Sequence, residues 1–120
     1  MRLLVVTLAL ILFGLVAPAA PASAAVMDDC SHAATIPSLR TCVQHALDHG
    51  HIDSRRIARS LFAKLDAAQA ALERGQTSVA VRKLEAFVRE VDAQTGKHIG
   101  AEHAAHLRMH AEAVIAALGG

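Results

Sequence analysis

The amino-acid sequence predicts an all-α fold: a small antiparallel bundle of about four helices, preceded by a secretory leader. Three observations carry this expectation. Four segments place apolar residues three and four positions apart, the repeat of a buried helix face. Gly50, Gly75 and Gly96 follow three of those segments, where a left-handed residue ends a helix. No segment beyond the leader alternates apolar and polar residues with the period of two that a strand requires.

Residues 1–24 read as a cleavable signal peptide. Arg2 supplies the positive start, Leu3 to Val16 is apolar apart from Thr7 and Gly14, and Ala22-Ser23-Ala24 is a small-residue cleavage site. The apolar run is about 14 residues, short of the roughly 20 a spanning helix needs. Cleavage after Ala24 therefore leaves a chain with no stable membrane anchor, secreted into an oxidising compartment. Residues 25–37 form a short leader, and residues 38–120 a single helical domain.

The first helix is expected over about 38–49, capped by Ser38, with Leu39, Val43, Ala46 and Leu47 inward and Gly50 as its stop. The second spans about 54–74. Asp53 is its candidate cap and Ile52 a staple. Leu61, Leu65, Ala68 and Leu72 fall within about 80° of Ile57 on the helical wheel. Gln76 and Thr77 leave a connection so short that the third helix, about 78–95, must return antiparallel. Its buried stripe is Ala80, Leu84, Phe87, Val88 and Val91, with Glu85 and Arg89 as an i,i+4 pair on the wet face. The fourth spans about 101–118 through Ala104, Leu107, Ala111, Val114 and Leu118, with Ile99 as a staple before it.

Two cysteines in an exported chain read as a disulfide. Cys30 and Cys42 would close a loop of about 13 residues, worth about 3 kcal/mol in the loop-entropy treatment, and staple the leader to the first helix.

Composition then removes whole classes of function. The chain has 12 basic and 11 acidic side chains. Cleavage removes only Arg2 of these, so the mature chain is formally neutral and gains little from releasing counterions on nucleic acid. It has no Trp and no Tyr to stack on bases, which disfavours nucleic acid as a partner and weakens a sugar-binding reading. Ser54, Ser60 and Ser78 lie at helix starts or within helices, not in a nucleophile elbow. These features point away from an enzyme and away from any required cofactor.

Residues 57–118 carry a more specific pattern. It comprises Ser60-Leu61, Lys64-Leu65-Asp66-Ala67-Ala68, Ala71-Leu72-Glu73-Arg74-Gly75, Lys83-Leu84-Glu85-Ala86-Phe87-Val88, Glu90-Val91-Asp92-Ala93-Gln94, Gly96-Lys97 and Ile99. In these residues the chain resembles the FIMAH-type domain of bacterial extracellular proteins. The resemblance implies an extracellular, non-catalytic accessory module. With enzyme activity disfavoured, the expected role is an interaction module, for which an unknown protein is the candidate partner.

The chain contains eight histidines, seven of them in two groups. His45, His49 and His51 surround the first helix stop. His103, His106 and His110 share one strip of the fourth helix, about 60° wide and beside its buried face, with His98 just before it. Solvated boundary histidines are the favoured reading of this strip. The alternatives are a weak Zn²⁺ or Cu²⁺ site on His103, His106 and His110, since i,i+4 spacing lets two imidazoles share an ion, and a pH-responsive role. Glu102-His103-Ala104-Ala105-His106 lacks the zinc-protease order, because its glutamate does not lie between the histidines.

Overall fold

The structure, a computed structural model, describes residues 30–120 together with Gly14. The signal peptide and its cleavage site lie outside the described residues. Four helices follow in order: α1 Ile36–Asp48, α2 Arg55–Glu73, α3 Thr77–Gln94 and α4 Ala101–Ala117. Among the described residues there is no strand, only two isolated bridges at the helix connections. Each helix packs on its neighbour in the chain, and α1 closes the ring against α4. No helix among the described residues is long and apolar enough to cross a membrane.

Two caps differ from expectation. Helix α1 begins before Ser38: Thr35 is the cap, its side chain accepting from the Ser38 N–H at 3.3 Å. Pro37 sits in the first turn, where its missing N–H costs nothing, and starting two residues early buries Ile36. The Ser38 hydroxyl instead donates to the Ser31 carbonyl. Helix α2 is capped by Ser54 rather than Asp53, with Ser54 Oγ accepting from the Ile57 N–H at 3.4 Å. Asp53 is occupied elsewhere. Its N–H donates to the His98 carbonyl at 3.0 Å, and its carboxylate lies 2.7 Å from His98 Nδ1.

That second set of contacts organises one end of the bundle. Ile52 and Ile99 form an antiparallel bridge, both about 1% exposed. The Gly100 N–H donates to the His51 carbonyl at 3.0 Å. The two residues expected as helix staples thus also pair with each other, zipping the α1–α2 connection to the α3–α4 connection. This fixes His51 beside the first turn of α4.

The glycine stops hold as expected. Gly75 has φ +73°, and beyond it the Gln76 N–H returns to the Ala71 carbonyl at 2.8 Å, so α3 reverses at once alongside α2. Phe87, Leu39, Leu61, Leu65, Leu84, Val43, Val91 and Val114 are fully buried. Leu72, Val88 and Leu118, at the margins of the expected stripes, are only half-buried against this core. Polar ties run along the helix seams. The Ser60 hydroxyl donates to Glu90 at 2.7 Å, and Lys64 Nζ reaches Ser60 Oγ at 3.0 Å and Glu90 at 3.3 Å, joining α2 to α3. Arg108 bridges Asp92 of α3 and Glu112 of its own helix. Glu85 and Arg89 form no ion pair, consistent with how little an exposed pair contributes.

The histidine cleft, a candidate functional site

The seam that closes the ring, between α1 and α4, is open along part of its length. It holds a cleft of about 610 Å³, and seven of the eight histidines line it. Three separate features of the sequence bring them there.

Helical spacing places the first pair. His45 and His49 stand four residues apart at the end of α1, with ring centroids 4.2 Å apart. Gly50 then turns the chain with φ +77°, and the Ile52–Ile99 bridge carries His51 against α4. There His51 stacks on His103, centroids 3.4 Å apart and planes 12° from parallel. His106 continues the row at 6.5 Å from His103, and His49 lies 6.4 Å from His51 on the other side.

The leader supplies the remainder. Cys30 and Cys42 stand at disulfide distance, with Cα atoms 4.8 Å apart, which lays residues 30–34 over the middle of α4. His32 comes within 5.8 Å of His110. His110 Nε2–H donates to the Ala33 carbonyl at 2.7 Å, a bond that assigns the proton to Nε2 in the neutral ring. His110 is 5% exposed, and its Nδ1 is buried with no hydrogen-bond partner.

The structure therefore divides the three histidines expected to share a strip. His106 is exposed, His103 is half-buried under His51, and His110 is enclosed by the leader. The expectation of three solvated boundary rings does not hold for His110. Helical periodicity places a residue relative to its own helix axis, but the cover over His110 comes from a segment 77 residues earlier in the chain. Burial, and next the neighbouring His51 ring, hold the His103 imidazole below its ordinary value of 6.5; His106 and His45 add to this, and Glu102 opposes it.

Periodicity alone missed the joining of His45, His49 and His51 to the α4 group. The available signal was the pair Ile52 and Ile99. Two isolated apolar residues on two different connections mark a contact between those connections, and His51 is adjacent to one of them.

Among the described residues, no group of three or more His, Cys, Asp or Glu side chains stands where it could hold a metal ion. The expected result is that Zn²⁺ at pH 7.5 moves the melting temperature by less than about 2 °C, a shift equivalent to a few tenths of a kcal/mol. A larger rise that disappears in His106→Ala would contradict this.

A four-helix bundle with an open α1–α4 seam defines a small helical module whose distinguishing surface is a histidine-lined cleft. The family model of the FIMAH domain matches residues 36–116, and the chain belongs to that family. The match takes in α1 as well as the three helices in which the resemblance is visible by eye, so both walls of the cleft lie within the family's unit. Comparison with curated proteins and with solved structures gives no match.

Proposed function

We propose that this chain is an exported, non-catalytic helical module that works by binding, and that the cleft between α1 and α4 is its binding surface. The observation that carries this reading is the gathering of seven histidines from the leader, two helices and a connection onto one concave surface. A core needs no such arrangement. Six of these histidines keep access to solvent, and concave surfaces of this size are where proteins take ligands.

Export supports the same reading. The reading of residues 1–24 as a signal peptide, a cysteine pair at disulfide distance and membership of the FIMAH family all support an extracytoplasmic setting. Secreted material should begin at Ala25 or within a few residues of it. An intact mass that still includes residues 1–16 would contradict export as a free protein.

A photocrosslinking residue tests the binding surface. Placed at position 49, on the cleft wall, it should give discrete adducts in culture supernatant. Placed at position 82, on the exposed face of α3, it should not. Equal adducts from both positions, or none from position 49, would refute the cleft as the working surface.

A further inference from the structure

We propose that the histidine cleft is a pH-gated oxyanion site: self-stacked near pH 7.5, and a receptor for a sulfate, phosphate or carboxylate group once its imidazoles are protonated. The inference rests on reading the cleft as the binding surface and adds the chemistry of what binds there.

The charge inventory points to it first. The mature chain is formally neutral, so the charge it gains on mild acidification comes from histidine, the side chain that titrates in this range. Seven of the eight histidines line one cleft. The leader contributes His32, α1 contributes His45 and His49, and the connection contributes His51. Helix α4 contributes His103, His106 and His110 together with Glu102, the one carboxylate on the lining among the described residues. Two other carboxylates lie close by: Asp48 shares a neighbouring groove with His45 and His49, and Asp53 is paired with His98. Acidification thus concentrates positive charge on a lining that, among the described residues, holds a single carboxylate.

The geometry then offers a place for a counter-charge. His51 and His103 are face to face at 3.4 Å, close enough that two imidazolium rings repel strongly unless an anion lies between their N–H groups. An oxyanion there would accept N⁺–H···O⁻ bonds, the stronger class of hydrogen bond. Two further features of the lining bear on an anion, one in the first turn of α4 and one about two turns further along it. The first turn of α4 has no side-chain cap, so its N–H groups stay open to an acceptor, while Glu102 within that turn offsets part of the N-terminal dipole. His110, on the same lining and 5% exposed, holds its Nδ1 without a partner, and that nitrogen becomes a donor on protonation.

The sign of the pH dependence follows. The His103 value is lowered from 6.5 by burial and by His51. Its contribution to stability is therefore present above 6.5 and lost as pH falls through the lowered folded value. An anion that binds only the protonated cleft restores stability below 6.5 and does nothing above it.

Thermal melts of the secreted chain in sodium sulfate and in sodium chloride of equal ionic strength test this at pH 7.5 and 5.5. In chloride, the melting temperature should be lower at pH 5.5. Sulfate should recover about 4 °C or more at pH 5.5, beyond the general stabilisation it gives at both pH values. Glu102→Gln should enlarge the recovery, and the His51→Gln/His103→Gln double variant should abolish it while keeping the general effect. Equal sulfate effects at the two pH values, or in the double variant and the wild type, overturn the site. Should the double variant fail to fold, ring-proton shifts in the wild type decide. Sulfate should move His51 and His103 at pH 5.5 and not at 7.5, and uniform movement that includes His98 would refute the proposal. Crosslinks at position 49 without a sulfate response overturn the anion site and leave the cleft reading intact; a sulfate response without crosslinks upholds the anion site and overturns only the capture of a macromolecular partner there.

Discussion

Phe87→Ala should lower the unfolding free energy by about 3–5 kcal/mol, a large share of what a domain of this size possesses. Phe87 is fully buried on the inner face of α3 and is the largest such side chain among the described residues. Truncation removes apolar area from the core and leaves a cavity that rigid flanking helices fill only in part. Arg82, on the exposed face of the same helix, provides the control. Arg82→Ala should change stability by less than about 0.5 kcal/mol. Urea denaturation of both variants makes the comparison, and equal losses would mean that the buried face of α3 is misassigned.

Reduction of the Cys30–Cys42 pair should come second, at up to about 3 kcal/mol. The cysteines are 12 residues apart, so the closed loop is short and α2, α3 and α4 lie wholly outside it. The loss should be local before it is global. Residues 30–34 would be released from α4, breaking the His110–Ala33 bond and removing His32 from the cleft. Denaturation with and without reductant, together with hydrogen exchange over residues 106–112, measures both parts. Thiols that react before any reductant is added would refute the pairing.

The helices were legible in the sequence because each is specified locally. Apolar spacing, a glycine stop and a short connection at Gln76 are all read within one segment, and α2, α3 and α4 lie within a residue or so of their expected bounds. The start of α1 was less legible because Thr35 and Ser38 are both acceptable caps. Tertiary packing of Ile36 decides between them.

The cleft was legible in its parts and not in its assembly. The residue types and the two histidine groups stand plainly in the sequence. Their union depends on the bridge between Ile52 and Ile99, and on the leader lying over His110. Both are contacts between distant segments, which no helical periodicity encodes. His98 illustrates the converse. It precedes the α4 group in sequence, yet it turns away to pair with Asp53 and is absent from the cleft lining.

The central claim is that the two histidine groups meet, and the His51–His103 stack is where they do so. Solution NMR at pH 7.5 reads it directly through cross-relaxation between the ring protons of these two residues. At a centroid separation of 3.4 Å the account predicts strong ring-to-ring cross-peaks, accompanied by cross-peaks between the Ile52 and Ile99 side chains. Absence of the His51–His103 cross-peaks in a chain whose Phe87 core contacts are intact would contradict it.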